Sequence, residues 1–234
     1  MNSRLLLRPE QFRRAHPGLR IDKFMDIEEP DWRAVAELRL DDGAYRLAYK
    51  RWENLWSHDQ SSALRMEGRV SGRMIVGLGS ESVLEVGIRL NHTYGTPVVP
   101  GSAIKGVLRS RIEDESLAEF LFGSQAGAAF TEFQDAWWIP DSRSPFAVDV
   151  MTVHHPDYYG AKGSSIPSPS DFDNPNPVQF LSVHGSYFFV ARFLGDDPGG
   201  AWKGYVRKLL QDTLEKDGIG GKRSAGYGRF VFGA

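Results

Sequence analysis

Two segments hold residue types that bind anions. The first is Pro97-Val98-Val99-Pro100-Gly101-Ser102-Ala103-Ile104-Lys105-Gly106-Val107-Leu108-Arg109. After Pro100-Gly101 a helix is expected, capped by Ser102. Free backbone N–H groups at a helix start attract phosphate. Lys105 and Arg109 are four apart, so they share one side of that helix and could follow a phosphate chain. An ordinary capped helix with a solvated basic edge fits the same residues. The second segment is Gly218-Ile219-Gly220-Gly221-Lys222-Arg223-Ser224-Ala225-Gly226-Tyr227-Gly228-Arg229-Phe230. Its glycines let backbone approach a ligand closely, and successive N–H groups can form an anion nest. Lys222, Arg223 and Arg229 add charge, Ser224 adds a donor, and Tyr227 offers a ring to a base. A glycine-rich connector with incidental basic residues is the plainer alternative.

Two better-known motifs fail here. A P-loop needs glycine five before its Gly-Lys pair and Ser or Thr after it. Counting back from Gly221 reaches Lys216, and Lys222 is followed by Arg223. Gly226 to Phe232 resembles the RNP1 strand of RNA-recognition motifs, but Arg229 interrupts it.

The elements that must position these segments are legible in the apolar pattern. Tyr45, Tyr49, Trp52 and Trp56 stand at spacings of three and four, which predicts a helix with an aromatic packing stripe. From Ala63, Leu64, Met66, Val70, Met74 and Val76 share one parity, which predicts a strand buried on one face. A second strand is expected over Leu84, Val86, Ile88 and Leu90. Ile104, Leu108 and Ile112 mark the buried stripe of the helix after Pro100. A short helix over Leu117 to Phe122 should end at Gly123. Phe130 to Ile139 reads as strand. Pro140 to Pro177 holds 7 of the 13 prolines, so it is expected to be an irregular insertion. Val178 to Leu194 returns to strand, with a turn at His184-Gly185. Trp202 to Leu214 reads as helix, capped by Gly218, and Arg229 to Phe232 as a last strand.

This order predicts an α+β fold of the ferredoxin-like kind, an antiparallel sheet with helices on one face. Residues 1–62 are expected to form an N-terminal extension with a helical segment. Residues 63–234 would form the main domain, interrupted at 141–177 by the insertion.

Composition bounds the function. The chain has 234 residues, 41% hydrophobic and 25% charged, as in ordinary globular proteins. No cysteine is present, which excludes thiolate metal sites and disulfides and suits a cytoplasmic location. The N-terminal apolar run is short for a signal peptide, and no stretch approaches a membrane helix. The net charge of −2 argues against a solitary RNA binder, but it allows a local basic patch within a larger complex.

His154 and His155 are adjacent, with Asp149 and Asp157 nearby in sequence. Neighbouring side chains in extended backbone point to opposite faces, so the pair makes a poor metal site. Neither a metal nor a cofactor is expected. A general acid/base role for either histidine is the enzymatic alternative. His154 and Tyr158 are the better candidates for RNA contact.

Taken together, the block Pro100 to Arg109 and the glycine-rich loop Gly218 to Gly228 resemble the RAMP superfamily of CRISPR-associated proteins. Gly77-Leu78-Gly79, Leu84-Glu85-Val86-Gly87, Asn91 to Pro97, Asp149 to Tyr159 and Asp173 to Val178 resemble, within it, the sixth-subunit family of type III-B Cmr complexes. The resemblance spans Met66 to Phe232. It implies an RRM-like ferredoxin fold and a non-catalytic subunit that holds guide RNA near its 3′ end, in defence against foreign RNA. It also implies contacts with neighbouring subunits and target RNA, and no small-molecule substrate. The RNA-binding set expected on these grounds is Gly101, Ser102, Lys105, Arg109, His154, Tyr158, Gly220, Gly221, Lys222, Arg223, Ser224 and Tyr227. The alternatives are a metal-independent endoribonuclease using His154 or His155, and a protein-only scaffold.

Overall fold

In the computed structural model the described residues are 15–26, 30–38, 40, 43–57, 62–79, 87–140, 144–153, 168 and 176–233. Beyond residue 30 the α-helices and strands run in this order. Helix α1 spans Trp32–Ala36 and α2 Gly43–Ser57. Strand β1 spans Ala63–Val70 and β2 Val98–Val99. Helices α3, Gly101–Arg109, and α4, Glu115–Phe122, follow. Then come β3, Thr131–Phe133, β4, Ala136–Trp138, β5, Phe146–Val153, β6, Asn176–Val183, and β7, Ser186–Phe193. Helix α5, Ala201–Lys216, and β8, Phe230–Phe232, complete the order.

The main sheet runs β2-β4-β7-β1-β8, with β3 also paired to β7, and every pairing in it is antiparallel. The result is the α+β class expected from the sequence. Strand β7 lies at the centre, and its run Tyr187 to Ala191 is buried throughout. A strand buried on both faces needs cover on both. On one face, Leu64, Met66 and Val70 are buried, and α5 packs on β1 and β8 through Val206, Leu210 and Leu214. On the other, Trp52 of α2 stacks on Trp137 at a centroid distance of 5.1 Å and meets Phe188 edge-on at 5.5 Å. The aromatic stripe of α2 is therefore packing, as its spacing predicts. Tyr45 and Tyr49 join the same core as the sheet. The Tyr45 hydroxyl donates to the Trp138 carbonyl.

Four local expectations change. The strand expected over 63–76 ends at Val70, because Gly72 turns the chain at φ +89°. Residues 73–76 then form a separate strip, bridged at Met74 to Val183 by two 2.8 Å hydrogen bonds. Phe130 to Ile139 divides into β3 and β4 at a bulge: Gln134 N still donates to Val190 O at 3.0 Å, but the register against β7 shifts by one residue between Phe133↔Ala191 and Trp137↔Phe188. The proline-rich insertion is regular at both ends. Phe146–Val153 pairs residue for residue with Asn176–Val183 as a second, two-stranded sheet. Pro177 sits at an end of this two-stranded sheet, where proline is tolerated. Of the strand expected at Leu84 to Leu90, Leu84 and Val86 lie outside the described residues. Ile88 is not in strand, and Leu90 makes only an isolated bridge to Pro97.

The helix ends obey local chemistry. The N-cap of α4 is Asp114, which accepts from Leu117 N at 3.1 Å, and Gly123 ends that helix at φ +76°. Gly185 makes the β6–β7 turn at φ +99°. No helix among the described residues is long and apolar enough to cross a membrane.

Candidate nucleic-acid interface

The opening of α3 is built for packing. Its N-cap is Pro100, not Ser102, which lies exposed inside the first turn. Gly101 is buried, and a Cβ there would stand 2.2 Å from the Phe133 carbonyl oxygen. Its N–H donates to Asp135 Oδ1 at 2.8 Å. A carboxylate thus already occupies the end of the helix where a phosphate was expected, and it satisfies the same donor and the same dipole. Lys105 is half-buried and has no ion pair among the described residues. Arg109 is committed elsewhere. Its guanidinium donates to the Gly123 carbonyl at 3.3 Å and pairs with Glu115. The Lys105–Arg109 pair therefore reduces to Lys105 as the cation free to meet a ligand.

The glycine-rich loop between α5 and β8 is anchored by three glycines. A Cβ at Gly228 would stand 1.9 Å from the Ile219 carbonyl oxygen, and one at Gly220 2.1 Å from that of Ile75. At Gly218 it would stand 2.7 Å from the Gly228 oxygen. All three have positive φ. Gly218 N also donates to Thr213 O at 3.1 Å, closing α5 as a glycine cap does. The loop lies against the strip 73–76. Gly228 N donates to Arg73 O and Gly221 N to Ile75 O, both at 2.8 Å. Tyr227 is half-buried, its ring 6.3 Å from Phe180 and its hydroxyl 3.2 Å from Asp149 Oδ2 on β5. Burial first, then the Asp149 carboxylate, raise its pKa, so the hydroxyl keeps its proton as a donor. Tyr227 packs the loop onto the second sheet through its ring and its hydroxyl.

What this anchoring presents is the outer arc. Lys222, Arg223, Ser224, Ala225 and Gly226 are all exposed. Lys222 takes the left-handed conformation, φ 52°, the one non-glycine residue to do so among those described. A one-turn 3-10 helix, Arg223–Ala225, follows. The N–H groups of Lys222, Arg223 and Ser224 make no backbone hydrogen bond among the described residues. A left-handed residue followed by a right-handed turn is the backbone form of an anion nest.

Beside the arc lies a depression lined by Arg111, Lys216, Lys222, Arg223, Ser224 and Arg229. Arg111 Nε lies 3.2 Å from Asp217 Oδ2, out of hydrogen-bond alignment, and Lys216 faces Asp212 at 3.7 Å. Lys222, Arg223 and Arg229 have no ion pair among the described residues. Five cations thus converge on one concavity with Asp217 as the carboxylate in its lining. This is the local basic patch that an overall charge of −2 permits.

The sequence of this patch is also the sequence of a family. Residues 69–231 match the model of the RAMP superfamily. The chain belongs to the RAMP superfamily. Among curated proteins, this RAMP chain is similar to CRISPR system Cmr subunit Cmr6 of Pyrococcus furiosus, 27% identical over 91% of this chain and 81% of that one. It is similar to the subunit of the same name in Saccharolobus solfataricus, 28% identical over 68% of this chain and 54% of that one. Among solved structures, it resembles a chain of the type III-B Cmr-beta complex bound to cognate target RNA. The TM-score is 0.69 at 23% identity, over 87% of this chain and 70% of that chain. That likeness shows the fold.

Three cations of the depression, Arg111, Lys216 and Arg229, were not in the expected set. Arg111 follows α3 directly, and its link to the loop is made only when α3 packs on α5. Arg229 was legible as a loop cation, and its exposure follows from alternation with buried Gly228 and Phe230. His154, His155 and Tyr158 lie outside the described residues.

Proposed function

We propose that this RAMP chain is a non-catalytic subunit of a type III-B Cmr effector ribonucleoprotein, holding guide RNA near its 3′ end. Membership of the superfamily and the similarity to two Cmr6 proteins support the assembly. The depression formed by Lys222, Arg223 and Arg229 with Arg111 and Lys216 carries the RNA-holding part. The cations supply the charge that phosphates need, and the nest supplies directed donors. Lys105 extends the track along α3. Ser102, Gly220 and Ser224 are secondary contacts, through hydroxyl or backbone, whereas the Gly221 N–H is held by Ile75 O.

The test uses the assembled complex. Changing Lys222 and Arg223 to Ala, together with Arg229→Ala, should weaken guide retention with little loss of fold. The dependence of binding on salt should flatten by about 0.7 in log–log slope for each phosphate contact removed. A triple variant that assembles and retains guide RNA with an unchanged salt slope would sink the assignment.

A further inference from the structure

Strand β8 covers only part of β1. It pairs with Gly68, Arg69 and Val70, whereas β7 pairs with β1 from Ala63 to Arg69. The bonds at the two ends of the β1–β7 ladder fix its phase. Phe193 N donates to Ser62 O at 2.8 Å, and Val70 N to Gly185 O at 2.9 Å. Even-numbered residues of β1 therefore bond toward β7, and odd-numbered ones turn their N–H and C=O the other way. Arg69 spends its pair on β8. Glu67 stands opposite Gly233, which continues β8, so Ala63 and Arg65 are the residues that direct theirs at an open edge. A groove runs along this edge, with Arg207 and Gln211 of α5 on one wall and Arg65, Glu67 and Arg69 on the other. Glu53 of α2 borders its far end. Arg69 and Arg207 are exposed and have no ion pair among the described residues.

We propose that this edge docks an extended segment of a partner protein, which adds as a strand beside Ala63 and Arg65, ahead of the end of β8. The segment carries acidic side chains toward Arg65, Arg69 and Arg207. Strand addition uses both kinds of backbone group, a donor and an acceptor repeating about every 6.8 Å. A peptide backbone matches both, whereas a phosphate chain offers acceptors and leaves the carbonyls unanswered. A second copy of this chain would bring the same arginines edge to edge and be repelled. Acidic side chains on the added strand complement the arginines that line both walls.

The inference concerns protein docking and is independent of which residues hold RNA. It is tested by amide hydrogen exchange on the isolated chain and on the assembly with its neighbouring subunits. The amides of Ala63 and Arg65 should exchange roughly 100-fold more slowly in the assembly. Arg65→Pro removes an outward N–H and leaves the β7 ladder intact. It should weaken assembly by about 10-fold or more at an unchanged melting temperature. If that variant fails to fold, Arg69→Glu with Arg207→Glu should weaken assembly similarly without touching the backbone. Unprotected amides in the assembly, normal assembly of these variants, or a chain that joins no neighbour would each overturn the proposal. So would RNA crosslinks at Arg65 and Arg69 with the amides still exposed. Guide retention by the Lys222 and Arg223 variants is read separately, so either conclusion can fail while the other stands.

Discussion

At the residue scale, the glycines of the loop divide into two kinds. Gly218, Gly220 and Gly228 combine positive φ with a carbonyl oxygen where a Cβ would go. Gly226 also has positive φ, +89°, but open space around it. An alanine at Gly226 therefore meets only the left-handed backbone cost, about 1 kcal/mol. An alanine at Gly228 meets that cost and a collision 1.9 Å from the Ile219 oxygen. Gly228→Ala should destabilise the chain by about 3 kcal/mol or more. Thermal unfolding of the two variants separates these cases, and equal losses would refute the division. The same contrast bears on function. Gly228→Ala disturbs the platform that holds Lys222 and Arg223, whereas Gly226→Ala leaves that platform in place.

At the element scale, α2 decides how much of the sheet is sealed. Its Trp52 is half-buried, stacked parallel on Trp137 and edge-on to Phe188. Trp52→Ala removes that cover from the centre of the sheet. The expected cost is about 3 kcal/mol, at the low end for a tryptophan because part of the ring faces solvent. Leu55→Ala, on the same helix but 64% exposed, should change stability by less than about 0.5 kcal/mol. Denaturant unfolding of the pair checks this, and similar losses would mean that α2 does not seal the sheet through its aromatic stripe. The rest of that face carries Arg65, Glu67 and Arg69, which α2 leaves uncovered.

At the scale of the whole molecule, four tyrosines link the fold to pH. Burial raises the pKa of Tyr45, Tyr187 and Tyr227, and of Tyr49 together with the Glu53 carboxylate. An unfolded tyrosine titrates near pH 10. Above that pH the unfolded chain has lost protons that the folded chain still holds, so unfolding becomes more favourable as pH rises. The contribution is complete below about pH 10 and declines above it. Melting temperature should therefore be flat near pH 8 to 9 and fall steeply beyond about pH 10. Tyr49→Phe should shift that fall to higher pH, and an unchanged profile would show that Tyr49 does not control it.

The local rules that sequence carries were enough for the longer helices and for β1, β6 and β7. Helical spacing placed α2, α3 and α5, parity placed the buried face of β1, and Gly123, Gly185 and Gly218 stand at their turns because positive φ is a property of a single residue. The two basic segments were likewise visible as residue types in order. Other features depended on partners distant in the chain. Asp135 closes the start of α3 from 34 residues away, and Glu115 takes Arg109 out of the basic edge. Phe146–Val153 was hidden within the proline-rich stretch, although its partner strand was legible from Val178; Pro177 joins that partner at the end of the ladder, where proline is tolerated. Arg111 reaches the depression only through helix packing. The sequence determines which groups carry charge and which backbone can turn; tertiary structure decides which cations are already paired, because pairing depends on distance in space.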